Sequence, residues 1–304
     1  MVLKSVGITG ASGMLGRHIR SDLHKAGLKI FSMSRTKPEK IFEKENWNQS
    51  DLKNWISGAQ LNDLFQDAQA IIHAGAFVPD GKEAGDTQII LDVNVRSCAC
   101  IAEWALARKI QMVYVSGATV YADAGKENIL EEDSKAVGAL GGLYGYSKLL
   151  AENLLRFFEP QGLELTILRP SSIYGYGMSK NKMISKFLRM AKDNQVIELT
   201  HPINDKINFI HASDVSQAVV KALSRKALGA YNVAYSELYS ILDLAKCCCA
   251  VAGGGEVKVP TDQKFKNAAI RFDLNIDRAR KKFDFNPQVD LRSGLQKMFQ
   301  EMTA

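Results

Sequence analysis

Short apolar runs alternate with amphipathic stretches along the first 170 residues. The runs predict buried strands, and the stretches, whose apolar positions recur every three or four residues, predict helices. Strand and helix alternate through short connections, which indicates an α/β fold with a doubly wound parallel sheet covered by helices on both faces. The predicted strands are 5–9, 29–34, 47–48, 70–76, 112–116 and 165–169, and helices are predicted after the first strand, over 91–108 and over 144–158.

The pattern becomes less regular beyond residue 170. Helices are predicted over 182–192, 241–252 and 292–302, with a strand at 231–233. The segment 209–214 leads into a further helix, which Asp214 or Ser213 is expected to cap. We therefore predict two domains, 1–170 and a smaller lobe over 171–304, with part of 205–240 returning to the first domain.

A glycine-rich turn joins the first strand to the first helix. Gly10, Gly13 and Gly16 stand three residues apart in it. Gly10 permits the tight turn, Gly13 lets the backbone approach phosphates, and Gly16 lets the helix pack closely on the strand. Since a helix N-terminus after such a turn can hold a pyrophosphate, we expect a dinucleotide cofactor. The alternative is an ordinary strand–helix turn without a ligand.

The end of the second strand bears on which dinucleotide binds. A carboxylate at this place would accept the ribose hydroxyls of NAD, whereas a cation accommodates the 2′-phosphate of NADP. No Asp or Glu stands at the tip, and Arg35 and Lys37 are both near it. We predict NADP, with NAD as the alternative if these cations are ordinary solvated loop charges.

Further cofactor contacts are predicted at the ends of the next strands. Small residues at 74–76 let a cofactor lie against the backbone, and Asp51 is placed to hydrogen-bond an adenine amino group. His73 is expected to be a packed strand residue. The predicted cofactor contacts are Gly10, Ser12, Gly13, Met14, Leu15, Ser34, Arg35, Asp51, Leu52, Ala74, Gly75, Ala76, Asn94, Ser116, Tyr144, Lys148 and Pro170.

Composition and charge narrow the class of protein. The 304 residues are 46% hydrophobic, which suits a globular fold, and the net charge of +6 includes no long Lys/Arg run that would indicate nucleic-acid binding. No stretch of about 20 apolar residues predicts a membrane span, and the start of the chain lacks a signal-peptide pattern. The five cysteines have neither CxxC nor zinc spacing. We expect them to be free thiols in a reducing cytoplasm, with no metal site.

Tyr144 and Lys148 carry the candidate chemistry. They stand four residues apart in a predicted helix, so their side chains share one face. A tyrosine near its usual pKa of about 10 is a poor base. A nearby ammonium is expected to lower that pKa, so that Tyr144 can exchange a proton with an alcohol or carbonyl while a nicotinamide exchanges hydride.

Motifs along almost the whole chain carry a family resemblance. They are TGASGMLG (9–16), IHAGA (72–76), NV (94–95), YGYSK (144–148), LRP (168–170), FIHASDV (209–215), YNV (231–233), DRAR (277–280) and FNP (285–287). The chain resembles the extended short-chain dehydrogenase/reductase family, in its NAD(P)-dependent sugar epimerase/dehydratase group.

The resemblance implies a Rossmann domain, a smaller substrate lobe and an active site in the cleft between them. It implies that Tyr144 is the acid/base and that Lys148 holds the nicotinamide ribose and tunes Tyr144. It also implies a homodimer through helices 93–108 and 144–158. The substrate pocket is expected to form from the loops 77–87, 119–142 and 175–182, with Ser172 as a substrate contact.

One departure from the family concerns the catalytic hydroxyl. The family places a Ser or Thr after the fifth strand to hydrogen-bond the reacting oxygen, and here that position is Gly117. Thr119 would point to the same side as Gly117 in an extended segment, so we predict Thr119 as the substitute, with Ser116 as the alternative. Thr119 is therefore predicted as a catalytic and substrate contact.

Two other departures concern the reaction and the substrate. The sugar 4,6-dehydratases carry an Asp-Glu pair where this chain has Ala118-Thr119, which argues against dehydration. Many nucleotide-sugar enzymes carry an arginine where this chain has Ile207, which weakens the case for a diphosphate-linked substrate.

These observations favour an NAD(P)-dependent oxidoreductase or epimerase acting on a sugar, with or without a linked nucleotide, or on a related hydroxy or carbonyl compound. Epimerase and reductase remain equal alternatives. The competing hypothesis is a catalytically weak NADP-binding sensor or scaffold. Gly117 favours it, and Tyr144 and Lys148 oppose it.

Overall fold

The computed structural model describes residues 3–54, 57–79, 86–136, 141–200, 202–260 and 269–303. The strands are β1 Ser5–Thr9, β2 Lys29–Ser34, β3 Glu45–Gln49, β4 Ala70–His73, β5 Gln111–Val115, β6 Leu165–Pro170, β7 Ser172–Tyr174, β8 Val196–Glu198, β9 Lys206–His211, β10 Gly229–Val233, β11 Leu238–Ser240, β12 Glu256–Lys258 and β13 Ile270–Arg271. The α-helices are α1 Met14–Lys25, α2 Gly58–Phe65, α3 Thr87–Leu91, α4 Ser97–Arg108, α5 Gly142–Phe158, α6 Met183–Lys192, α7 Ala212–Ser224, α8 Ile241–Ala252, α9 Asp277–Phe283 and α10 Leu291–Thr303.

Seven parallel strands form the central sheet, in the order β10-β6-β5-β4-β1-β2-β3. The order reverses direction on either side of β1, so a crevice opens between the loops that follow β1 and β4. Strand β10 comes from the C-terminal part of the chain and pairs with β6. The α/β fold class predicted from the sequence is confirmed.

Helices cover both faces of the sheet, as the buried strand patterns require. One apolar cluster joins alternate residues of the strands to α1 and α7. A second cluster lies on the opposite face, under α2, α4 and α5. The second face also carries a buried row of polar residues near the carboxyl ends of the strands, Thr9, His73 and Tyr114, which are neighbours in the strand register.

A smaller lobe surrounds β9. This strand pairs antiparallel with β11 and parallel with β13 and β7. Helices α6, α8 and α10 pack around a third apolar cluster that includes Tyr174 and Phe209. The lobe lies at the carboxyl-end side of the sheet because β7 follows β6 directly.

The helical segment before β5 starts earlier than predicted. It runs from Thr87 to Arg108, and a π-helical turn, Asp92–Arg96, separates α3 from α4. The turn contains Asn94, whose amide oxygen accepts from Phe77 N at 2.8 Å and whose amide nitrogen donates to Phe77 O at 3.0 Å. π-turns occur often at functional sites, and this one fixes the loop after β4.

The cap of α7 differs from the expectation. His211 is the N-cap residue, and its imidazole accepts from Ser213 N. The Asp214 carboxylate instead accepts from Gln288 N at 3.0 Å and Val289 N at 2.9 Å. Asp214 therefore holds the segment that leads into α10, a contact between residues too distant in sequence for a capping rule to predict.

All five cysteines are unpaired thiols, with Cys98 and Cys248 buried. Burial raises the pKa of the Cys98 thiol to about 12, which makes it unreactive at neutral pH. In the described part of the chain, no helix has the length and apolar character needed to span a membrane.

Candidate active site

The glycine-rich turn has the geometry of a backbone cradle. Gly10 has φ of +74°, which favours glycine, and a side chain there would begin 2.7 Å from Gly75 Cα. A side chain at Gly16 would collide with the carbonyl oxygen of Gly10. The close approach of these backbones leaves the N-terminus of α1 open to an anion.

A cleft of about 550 Å³ begins at this turn and runs along the carboxyl ends of β1, β2 and β4. The shape, the exposed backbone and the cations at its end fit a dinucleotide. The predicted cofactor residues that line it are Gly10, Ser12, Gly13, Ser34, Arg35, Asp51, Leu52, Ala74, Gly75 and Ala76. The lining also includes residues that were not predicted as cofactor contacts, of which Phe77 and Val78 belong to the predicted substrate loop 77–87: Met33, Thr36, Ser50, Lys53, Phe77, Val78, Ile89 and Val93.

A second cavity of about 420 Å³ adjoins the end of the cleft, and the two share Ser12 and Thr36. The hydroxyls of Ser12 and Thr36 are 2.9 Å apart. Arg17, Arg20, Lys37 and Lys40 make this cavity basic, although Arg20 is occupied by a buried ion pair with Glu45. Met14 lines this cavity rather than the cleft.

Several other predicted cofactor residues lie outside the cleft lining. Leu15 is buried in the apolar cluster beneath α1. Asn94 has its amide engaged by Phe77 and by Ser147 Oγ at 3.0 Å. Pro170 is buried at the end of β6. Ser172, the predicted substrate contact, is half-buried at the start of β7, where it pairs with Phe209.

Tyr144 and Lys148 emerge from the first turns of α5. Lys148 Nζ lies 5.8 Å from the centre of the Tyr144 ring and donates a hydrogen bond to Val115 O at 2.9 Å. Burial raises the pKa of Tyr144 to about 12 and lowers that of Lys148 to about 8. The expectation that Lys148 lowers the pKa of Tyr144 is wrong, because desolvation of the phenol raises this pKa.

Thr119 lies beside Gly117, as predicted, although the prediction assumed an extended segment. Ala118–Val120 form a 3₁₀ turn, so the segment is not extended. A side chain at Gly117 would nevertheless begin 3.6 Å from Thr119 Oγ1. Thr119 Oγ1 is buried and has no hydrogen-bond partner among the described residues. Thr119 also packs against Gly145, the residue after Tyr144.

Ser116, the alternative hydroxyl, is directed into the core. Its Oγ donates to Glu152 Oε1 at 2.6 Å. Arg169 also binds this carboxylate, through Nε at 3.0 Å and Nη2 at 2.6 Å. The hydroxyl of Ser116 therefore completes a buried ion pair that ties β5 and β6 to α5, and its predicted contact with the cofactor stays a prediction.

An arginine that sequence reasoning did not consider stands beside Ile207. Arg271 of β13 is the register partner of Ile207 in β9, so the two side chains share a face. Its guanidinium donates to Asp205 Oδ2 at 3.1 Å and is partly exposed. The sequence contains no signal that places Arg271 here, because β13 has only two residues and its partner β9 is distant in the chain.

The match to known proteins covers most of the chain. The NAD dependent epimerase/dehydratase family model matches residues 6–234. The chain is 26% identical over 317 residues to the dTDP-4-dehydro-6-deoxy-D-allose reductase of a Streptomyces species, covering 96% of this chain and 94% of the relative.

Solved structures share the fold. An epimerase from Methanothermobacter thermautotrophicus superimposes with a TM-score of 0.86 at 20% identity, covering 99% of this chain and 93% of that one. The Bacillus cereus UDP-glucuronic acid 4-epimerase in complex with NAD gives 0.83 at 19% identity, covering 98% and 96%. The predicted resemblance and enzyme class are confirmed. The chain belongs to the NAD dependent epimerase/dehydratase family and is an NAD(P)-dependent enzyme of its epimerase/reductase group.

Proposed function

We propose that this protein reduces the keto group of a nucleotide-linked sugar with NADPH. The observation that carries the proposal is the pair of Tyr144 and Lys148, which lie side by side on α5. Burial holds the Tyr144 pKa at about 12, so the phenol is protonated at neutral pH. A protonated phenol can donate the proton that reduction of a carbonyl requires. The match to a dTDP-4-dehydro-6-deoxy-D-allose reductase over 96% of this chain favours reduction over epimerisation.

Tyr144, Thr119 and Lys148 each have a separate role in the proposed reduction. The bound nicotinamide supplies the hydride. Tyr144 donates the proton to the carbonyl oxygen, and Thr119 donates a hydrogen bond to the same oxygen through its otherwise unpaired hydroxyl. Lys148, whose ammonium lies 5.8 Å from the centre of the Tyr144 ring, stabilises the phenolate that remains.

The cations at the end of the cleft support NADP as the cofactor. Arg35 and Thr36 line the cleft, and Lys37 and Arg17 line the adjoining cavity. The carboxylate in this cavity belongs to Glu39, which pairs with Arg17 at 2.9 Å and is largely exposed. A 2′-phosphate would find charge-assisted hydrogen bonds here, and no carboxylate stands at the tip of β2 to favour NAD.

Arg271 supports a substrate that carries a diphosphate. It occupies the strand beside Ile207, the position where the family pattern led us to expect an arginine. Asp205 holds the guanidinium in place, and about a third of the side chain remains exposed. Arginine binds phosphate oxygens in a fixed fork geometry. The full-length match to a dTDP-sugar reductase points to the same substrate class.

Epimerisation is the second candidate, favoured by the overlay on the UDP-glucuronic acid 4-epimerase. Both reactions use the same acid and the same hydride exchange. They differ in stoichiometry, because a reductase consumes one NADPH for each sugar and an epimerase consumes none.

A dTDP-linked 4-dehydro-6-deoxy sugar should oxidise NADPH in the presence of the purified protein. The rate should exceed that with NADH by about tenfold or more, the size of a few charge-assisted contacts with one phosphate. Absorbance at 340 nm gives the rate, and sugar analysis gives the product. UDP-glucuronic acid is the parallel substrate for epimerisation. Epimerised sugar without net oxidation of NADPH would establish the second candidate instead.

We also infer that the protein is a homodimer through α4 and α5. These helices pack side by side. Tyr146, Leu150 and Phe157 lie along one face of α5, where Tyr146 is 45% exposed and Phe157 is 65% exposed. An exposed row of large apolar side chains is typical of a surface that another subunit covers. The first of the two implied dimer helices, 93–108, would therefore consist of the π-helical turn followed by α4.

Phe157→Glu should convert the dimer to a monomer, because it places a charge in the apolar interface. Light scattering coupled to gel filtration measures the change in mass. Leu228→Glu is the matched control, since Leu228 is 44% exposed and belongs to the turn between α7 and β10 rather than to α4 or α5. A wild-type protein of monomer mass, or dissociation by both variants alike, would contradict the assignment of the interface.

The thiols support a reducing compartment, which we propose to be the cytoplasm. All five cysteines are unpaired. Cys247, Cys248 and Cys249 are adjacent on α8, where an oxidising environment would favour mispaired disulfides.

A further inference from the structure

Lys148 is a buried ammonium without a direct counterion. The residue is 3% exposed, and among the described residues no carboxylate lies within ion-pair distance of its Nζ. Within the described part of the chain, its one hydrogen bond goes to Val115 O. A buried charge in such a setting must be stabilised by some other group or it becomes neutral.

The titratable groups packed around Lys148 supply little negative charge. Glu152, one turn further along α5, has its carboxylate bound by Arg169 and Ser116. Cys98 of α4 is an uncharged thiol because burial raises its pKa to about 12. His73 of β4 is neutral because burial lowers its pKa to about 3.

Two aromatic rings flank the ammonium instead. Nζ lies 4.9 Å from the centre of the Tyr114 ring and 5.8 Å from that of Tyr144. Tyr114 belongs to β5, is 1% exposed and is fixed between the neighbouring strands, whereas Tyr144 is the acid itself. The face of an aromatic ring attracts a cation within about 6 Å, and the attraction is larger when both groups are desolvated.

The hydroxyl of Tyr114 does not explain why a tyrosine occupies this position. It is buried and has no hydrogen-bond partner among the described residues. An unpaired buried hydroxyl costs free energy, and the contact that Tyr114 makes with Lys148 is through its ring.

We propose that the ring of Tyr114 is a positioning element for Lys148, holding its ammonium beneath Tyr144 by a cation–π contact. The proposal rests on the role given to Lys148 in the proposed function. Tyr114 touches neither substrate nor cofactor in it. Its effect is to keep Lys148 charged and in place where an ion pair would otherwise be needed.

Two variants of Tyr114 separate the ring from the hydroxyl. Tyr114→Phe keeps the ring, so it should leave the kcat and the titration of Lys148 unchanged and the melting temperature equal or higher. Tyr114→Leu removes the ring. The ammonium then loses stabilisation, and the pKa of Lys148, about 8 in the wild type, should fall by about one unit, a tenfold change. The kcat in the reductive direction should fall, and its decline at high pH should begin at lower pH.

The titration is measured without cofactor or substrate, by NMR of lysines labelled at Cε, with Lys148→Met to assign the signal. Phe31→Leu is the control for lost core packing, because Phe31 is equally buried in the same cluster while its ring contacts Lys29.

Equal titrations of Lys148 in Tyr114→Leu and Phe31→Leu would overturn the proposal. So would a Tyr114→Phe variant that behaves like Tyr114→Leu, since the hydroxyl would then be the active group. Full activity in Lys148→Met would instead refute the catalytic role of Lys148, and the NMR titration would still test the contact with Tyr114.

Discussion

Tyr144→Phe should lower kcat by about 10²- to 10⁴-fold, the range that a positioned general acid contributes. The variant keeps the ring that packs at the N-terminal end of α5 and removes only the hydroxyl group that carries the acidic proton. Because the predicted cofactor contacts along the cleft are untouched, the Kd for NADPH should stay within about twofold. Stopped-flow reduction of the sugar substrate measures the first quantity, and quenching of tryptophan fluorescence measures the second.

Tyr146→Phe is the matched control on the same helix. Tyr146 is two residues away and 45% exposed, so loss of its hydroxyl should change neither quantity. If Tyr144→Phe reduced the sugar at the wild-type rate, another group would have to be the acid. Equal losses of kcat in the two variants would point to damage of α5 rather than to lost acidity.

The elements that sequence predicts best are those with unambiguous local signals. The apolar segment of β2 lies between turns, and the structure keeps its predicted bounds, Lys29–Ser34. Helix α8 keeps its predicted bounds, Ile241–Ala252, and is followed by Gly253, which has φ of +69°. Strand β3 is longer than predicted because polar residues dominate Glu45–Gln49 and give no apolar period.

The parts of the candidate site that depend on backbone conformation can be predicted from the sequence. The parts that depend on burial, or on pairing between distant segments, cannot. The glycine spacing indicates the cleft because only small residues allow Gly10 to approach Gly75. The sign of the pKa shift at Tyr144 could not be inferred from the spacing of Tyr144 and Lys148, since it depends on how deeply both are buried. Arg271 could not be placed beside Ile207 either, because only the folded sheet brings them together.

Loss of the Thr119 hydroxyl should also slow catalysis strongly. Thr119→Val keeps the branched shape that packs against Gly145 and removes the unpaired Oγ1. Removing one donor to a developing oxyanion costs about 10²- to 10³-fold in kcat. Ser116→Ala tests the alternative hydroxyl. Because Ser116 donates to Glu152, we expect its loss to lower the melting temperature more than the kcat.

A serine at position 117 offers the complementary test. Gly117 has an extended backbone that any residue adopts, and the new Cβ would lie at ordinary contact distance, 3.6 Å, from Thr119 Oγ1. Gly117→Ser should therefore be tolerated. When it is added to Thr119→Val, the kcat of the double variant should be at least about tenfold higher than that of Thr119→Val alone. Steady-state kinetics of the single and double variants measures the recovery. Failure of the double variant to recover, with Ser116→Ala as slow as Thr119→Val, would assign the catalytic hydroxyl to Ser116, and the buried oxygen of Thr119 would then serve only the packing of α5.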